Sequence, residues 1–98
     1  MSYSLDFSDD ALSKLERLGF SDAKKLRQAF IKILSLRKNP YPQDSKQLKN
    51  FRLKGYKGLR VDQGEFRIIY AGDEDSKKVL ISAILNRNED YKELKRFE

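Results

Sequence analysis

Polar and apolar positions alternate through residues 2–7, Ser-Tyr-Ser-Leu-Asp-Phe, which sets Tyr3, Leu5 and Phe7 on one side of a half-buried strand. The period then lengthens. Ser8 is a favourable helix N-cap, Asp9 and Asp10 suit the positive end of a helix, and Ala11, Leu12, Leu15 and Leu18 form an apolar stripe that Gly19 would close. Ser21 and Asp22 open a second helix with the stripe Leu26, Phe30, Ile33 and Leu34, ended by Asn39-Pro40-Tyr41-Pro42. Residues 43–52 read as polar and irregular, with Leu48 and Phe51 as anchors. Strands are expected at about 53–62, 65–72 and 77–85, with turns around Asp62-Gln63-Gly64 and from Gly72 to Ser76. The last of these strands is apolar on both faces, Val79, Ile81, Ala83 and Leu85 against Leu80 and Ile84, as in a central strand covered on both sides. Residues 88–97 suit a short final helix capped by Asn88, with Tyr91, Leu94 and Lys95 on one side.

The order β-α-α-β-β-β, with a terminal helix, predicts an α+β fold. Two consecutive helices form a hairpin that packs on one face of a mostly antiparallel sheet, leaving the opposite face to curve and bind. The 98 residues suffice for one domain, 1–98, with a single modest core.

Composition narrows the chemistry. Cys and His are both absent, which removes disulfides, the usual zinc ligands, cysteine nucleophiles and imidazole acid–base catalysis. No Gly-rich phosphate loop precedes a Lys-Ser/Thr pair, and no cofactor is implied. The carboxylate runs Asp9-Asp10 and Asp73-Glu74-Asp75 suit a helix start and a turn better than a metal site. The beginning of the chain lacks the basic and apolar regions of a signal peptide, and no apolar run approaches a membrane span, so a cytoplasmic protein is expected. Net charge is +6, and its excess is confined to the middle: residues 21–42 carry +5 and residues 43–67 carry +4. That distribution fits a polyanionic partner, RNA, DNA or an acidic protein segment. A solvated basic helix face is the other reading for Lys24, Lys25 and Lys32.

What remains for chemistry is Arg, Lys and Tyr on the sheet. Cationic heads within strand patterns are costly to bury unless an anion meets them, so they point to a phosphate-bearing ligand. By alternation Phe66, Ile68 and Tyr70 share one face, and Arg67 and Ile69 the other. If the aromatic face meets the helices, Arg67 lies on the open face, where a hairpin would bring Arg60 beside it. An ion pair of Arg67 with Asp62 or Glu65 is the alternative. Arg87 and Tyr91 are four apart, a weak motif that an ordinary surface pair with Tyr91 in the core would also satisfy.

Taken together, these segments resemble the RelE/ParE family of small toxins. Residues 64–70, G-E-F-R-I-I-Y, are similar to the family's Gly-acidic-aromatic-Arg-aliphatic-aliphatic-Tyr strand, and residues 85–91, L-N-R-N-E-D-Y, to its Arg-x-x-x-Tyr ending. Leu48-Lys49, Lys57-Gly58-Leu59-Arg60-Val61 and the Asn39-Pro40 that closes the second helix match in order along the chain. The resemblance implies a RelE-type toxin that cleaves messenger RNA in the ribosomal decoding site. Arg67 and Arg87 would then contact the scissile phosphate and stabilise its transition-state charge, and Tyr91 would stack on or orient a base. Arg60 would be a basic residue on the strand, and Lys57 and Lys54 would add further cations. Lys49, Lys54, Lys24, Lys25 and Lys32 become candidates for contacts to RNA or the ribosome. The lysine proposed as general base in the RelE branch has no unambiguous match; Gly58 or Arg60 falls nearest.

Such chemistry does not need His. The 2′-hydroxyl of RNA is the nucleophile, and the protein orients its attack and stabilises the charged phosphorane, which planar Arg donors do well. Free Lys at a pKa of about 10.4 and Tyr at about 10 are poor bases near neutrality, so a catalyst of this kind would depend on the ribosome to preorganise the message. A cognate antitoxin, acidic and partly disordered, is the implied partner, with Leu94 and Phe97 of the last helix as its contact. The rival readings are a ParE-like inhibitor of DNA gyrase, a catalytically inactive member that only binds its antitoxin, and a plain nucleic-acid-binding domain.

Overall fold

The computed structural model describes residues 2–86, so Arg87, Tyr91, Leu94 and Phe97 lie outside the described residues. Within that span the order is β1 (Ser4–Phe7), α1 (Asp9–Ser21), α2 (Ala23–Ser35), β2 (Lys46–Leu53), β3 (Tyr56–Gln63), β4 (Phe66–Asp73) and β5 (Lys78–Asn86). The five strands form one sheet in the order β1-β5-β4-β3-β2. β1 runs parallel to β5, and every other pairing is antiparallel.

Ser8 caps α1 as its position suggests, accepting a hydrogen bond from the Ala11 amide at 3.1 Å. Gly19 does not end the helix. α1 continues through Phe20 to Ser21, and Asp22, with extended backbone, then serves as C-cap of α1 and N-cap of α2. A Cβ at this position would lie 3.5 Å from Leu26 of α2, an ordinary contact, so neither the helix nor its packing requires a glycine there.

The helix-facing core holds Ala11, Leu18, Ala29, Ile33 and Leu36 against Val61, Phe66, Ile68, Tyr70, Val79, Ile81 and Ile84. The alternation in β4 thus directs Phe66, Ile68 and Tyr70 to the helices as expected. Burial pushes the Tyr70 hydroxyl up to about 12, and it donates to the Pro40 carbonyl at 2.7 Å. The helix stripes were only partly right: Ala29 is fully buried, whereas Leu12, Phe30 and Leu34 stay partly exposed.

Two departures from the sequence reading are structural. Residues 46–53 form an edge strand, not an irregular segment. A register shift between Gln47 and Arg52, with Asn50 at φ 58°, inserts a bulge. It spaces the inward residues Leu48, Phe51 and Leu53 by three and then two, so the period-two signal of a strand is lost. The expected strand at 53–62 is also split, because Lys54 and Gly55 both take positive φ, 51° and 87°, and turn the chain in a two-residue hairpin.

The second departure concerns the open face. Leu48, Phe51, Leu53, Ile69, Ala71 and Ala83 form a second core there, with Tyr56 and Leu85 at its margin. The β2–β3 hairpin curls over the sheet until Lys54 Nζ, at its tip, comes within 3.9 Å of the Asp6 carboxylate on the opposite edge strand. Only part of the open face therefore remains polar. The curl depends on Gly58. A Cβ there would lie 2.5 Å from the Phe51 ring and 2.9 Å from the Phe51 carbonyl oxygen. Gly58→Ala is expected to destabilise the fold by about 1–3 kcal/mol through overpacking; a urea midpoint equal to the wild type's would refute the tight closure.

Candidate nucleic-acid interface

The polar part of the open face is built where β3 ends and β4 begins. Gln63 pairs with Phe66, so Gly64 and Glu65 form a two-residue turn, with Gly64 at φ 59°. That turn sets Asp62 directly opposite Arg67 and Arg60 opposite Ile69. Directly opposed residues share a face, so Arg60, Asp62 and Arg67 project together. Arg67 donates from Nε to Asp62 Oδ1 at 3.0 Å, and Arg60 Nη1 lies 3.6 Å from Asp62 Oδ2. The three side chains are 22–29% exposed, shielded enough for charge to be felt yet open to solvent. Both sequence readings of Arg67 hold at once: it faces the open side beside Arg60, and it is ion-paired to Asp62.

Lys46 also belongs to this face, since it stands opposite Arg60 in the β2–β3 ladder. It was missed because its segment carries no legible period, so no face could be assigned from sequence.

The other sequence candidates lie elsewhere. Lys57 alternates with Gly58 and Arg60, and so does not join the arginine pair; it sits opposite Arg52 and lines a polar recess with Lys49. Lys54 occupies the exposed hairpin tip, with Asp6 3.9 Å away. On α2, Lys25 binds Glu65 at 2.8 Å, a contact that raises its pKa. Lys32 donates to Asp44 at 2.9 Å and pulls that carboxyl down. Lys24 is exposed. Lys25 and Lys32 thus act as fasteners between α2 and the neighbouring loops. Arg87 and Tyr91 fall outside the described residues; β5 brings the chain to Asn86, opposite Phe66 and one register step from Arg67.

A different surface lies on the helical hairpin. Leu12, Leu15, Leu26 and Phe30 line an apolar groove of about 510 Å³, and Phe20 at its end is 92% exposed. A fully exposed phenyl beside an apolar groove is the signature of a contact surface.

A family model described as the ParE toxin of the type II toxin-antitoxin system parDE matches residues 5–91. Comparison with curated proteins gives no match. Among solved structures, the archaeal RelE-RelB complex from Pyrococcus horikoshii contains a similar chain: TM-score 0.72, 20% identity, 92% of this chain and 100% of that chain covered. Toxin RelE of E. coli in the free state, as a doubly substituted mutant, is similar at TM-score 0.69 and 16% identity, covering 99% of this chain and 94% of that one. The YoeB dimer of Staphylococcus aureus is similar at TM-score 0.63 and 21% identity, covering 85% and 94%. At these identities the likeness establishes the fold: two helices on a five-stranded mixed sheet.

The carboxylates of the β4–β5 turn are engaged in holding the fold. Asp73 accepts from the Asp75 and Ser76 amides, each at 3.0 Å, and from the Ser76 hydroxyl at 2.6 Å. Glu74 accepts from Tyr41, from Tyr3 at 2.8 Å and from Lys77 at 2.9 Å, and Asp75 accepts from Tyr56. The Tyr41 hydroxyl, then Lys77 and Tyr3, hold Glu74 down to about 2; the Ser76 hydroxyl and amide hold Asp73 down to about 2. Carboxyls depressed in the folded state contribute stability that is present above their unfolded pKa and lost as pH falls towards the folded one. Stability is therefore expected to fall between about pH 4.5 and pH 2, and Tyr41→Phe to flatten that fall. Urea melts at several pH values would show it; equal slopes in the two proteins would refute the role of Glu74.

Proposed function

Since the chain belongs to the ParE toxin family of type II toxin–antitoxin systems, we propose that it is a toxin of the RNA-cleaving kind, a ribosome-dependent endoribonuclease acting on messenger RNA. The observation that carries the reading is the convergence of Arg60 and Arg67 on the polar part of the sheet's open face. Two guanidiniums converging on one anion form a phosphate site, and planar paired donors suit the extra charge of a phosphorane. The 2′-hydroxyl attacks the adjacent phosphorus, the 5′-oxygen leaves, and a 2′,3′-cyclic phosphate remains. The arginines stabilise the oxyanions during that exchange. Arg87 and Tyr91 complete the site in this reading, one as a further cation and the other as a base-stacking side chain. Lys46, Lys49, Lys54 and Lys57 lie on or beside the hairpin that frames the open face, and would steer RNA toward it.

A cognate antitoxin is the partner that accompanies this function; the similar archaeal chain is itself found in a complex, RelE with RelB. The apolar groove on α1 and α2, ended by Phe20, fits the apolar face of a helix from such a partner. The net charge of +6 favours an acidic one.

The family description itself favours a second reading. ParE toxins act on DNA gyrase, and the arginine pair would then bind protein or DNA without cleaving RNA. Primer extension on programmed ribosomes separates the two. Arg67→Ala and Arg60→Ala are each expected to reduce decoding-site cleavage roughly 10²-fold, the scale for removing one transition-state donor. Absence of cleavage by the wild type, with undiminished toxicity of both variants, would overturn the nuclease reading in favour of gyrase. For the partner, Phe20→Ala is expected to leave stability within about 0.5 kcal/mol. The same change should weaken antitoxin binding by about tenfold or more, as for an aromatic anchor. An unchanged affinity in calorimetric titration would remove the groove from the interface.

A further inference from the structure

Resting on the reading of Arg60 and Arg67 as a phosphate site, we propose that Asp62 is an internal anion that occupies this pair in the free protein, must be displaced by an RNA phosphate, and so restrains binding of RNA that nothing else holds in place.

The geometry makes Asp62 a stand-in for phosphate. A carboxylate and a phosphodiester both carry one negative charge and offer two oxygens to guanidinium donors. Asp62 uses its two oxygens separately, Oδ1 for Arg67 Nε at 3.0 Å and Oδ2 toward Arg60 Nη1 at 3.6 Å. It is two residues from Arg60 on β3 and directly opposite Arg67 on β4, so the ladder holds it at its partners. A tethered anion competes at a high effective concentration, whereas a free RNA strand has to arrive from solution. The carboxylate also lowers the local charge from +2 to +1 where the phosphate would bind, and it would repel a phosphate brought beside it. The partial burial of all three side chains, 22–29% exposed, weakens solvent screening of that repulsion.

A strand that reaches the site only through this pair gains little, because one anion is exchanged for another. A strand positioned by contacts elsewhere has its entropic cost met there and can displace Asp62. Dependence on a scaffold that presents the message follows from an acidic residue on the sheet, not only from a weak general base.

The test measures binding of a short 2′-O-methyl RNA, which cannot be cleaved by its own 2′-hydroxyls, to the full chain without ribosomes. Asp62→Asn keeps the shape and the acceptor oxygen while removing the charge. It is expected to bind at least fivefold more tightly at about 0.1 M salt, with a logarithmic salt slope steeper by about 0.7, the value for one added single-strand phosphate contact. Glu16→Gln, on the exposed side of α1, makes the same change in net charge and should alter affinity less than twofold, on the order of a screened distant charge. In an Arg67→Ala background the gain from Asp62→Asn should vanish, which a double-mutant cycle reads directly. Asp62→Ala, with the melting temperature of each variant, guards against a folding artefact. Equal or weaker binding by Asp62→Asn, or an equal gain from Glu16→Gln, would overturn the proposal. Because the probe is not cleaved, a wild type without nuclease activity would refute the reaction class and leave this binding test decisive.

Discussion

Strand β4 is covered on both faces. Phe66, Ile68 and Tyr70 face the helices, while Ile69 and Ala71 lie under the curled β2–β3 hairpin. A strand buried on two sides has one acceptable register, because a slip by one residue would move every apolar group to the wrong face. Arg67 is the cation set into this apolar run, and its place near the strand's start lets the guanidinium reach the polar part of the open face. The rigidity of the candidate site is therefore inherited from packing that has no chemistry of its own.

The second core explains why this sheet is a site and not simply a platform. A flat five-stranded sheet with helices on one side would expose its whole opposite face. Here the bulge in β2 and the two-residue turn at Lys54-Gly55 bend the hairpin over, Gly58 admits the Phe51 ring, and the apolar half of the face is closed. Charge collects where closure stops. Arg60, Asp62 and Arg67 are held together because a partly buried cation without an anion would be costly, and Asp62 meets that need within the chain.

The helical layer is organised differently. Its inner side supplies small and aliphatic residues to the core, and its outer side retains Leu12, Phe20, Phe30, Ile31 and Leu34 in partial or full exposure. Amphipathic helices ordinarily end their apolar stripe at the protein surface; these carry it beyond. The fold thus presents a cationic face on the sheet and an apolar one on the helices, suited to different partners. The similarity to RelE and YoeB structures at 16–21% identity shows how much sequence variation the fold itself, helices on a five-stranded sheet, tolerates.

In β5 only the coverage of both faces was legible: a register shift opposite Ile69 and Tyr70 breaks the period at Ser82, so Val79, Ile81 and Ile84 meet the helices while Ala83 joins the open-face core. The N-terminal helix caps, the two helices and the helix-facing side of β4 were legible along the chain, because each depends on local capping chemistry or on an unbroken period. So was the presence of Arg60 and Arg67 in strand segments. Strand β2 was not, since its bulge spoils the alternation that would reveal it, and with it Lys46 went unassigned. The continuation of α1 past Gly19 was hidden as well: the glycine reads as a terminator, yet the helix runs on until Asp22, whose extended backbone caps both helices. What the amino-acid sequence by itself determined is every described element but β2 and the sign of the charge they carry. Only the tertiary structure decided that the open face is half filled, that Lys57 parts from the arginines, and that Asp62 stands between Arg60 and Arg67. Those outcomes depend on how strands pair and bend across long separations, and no local period encodes that.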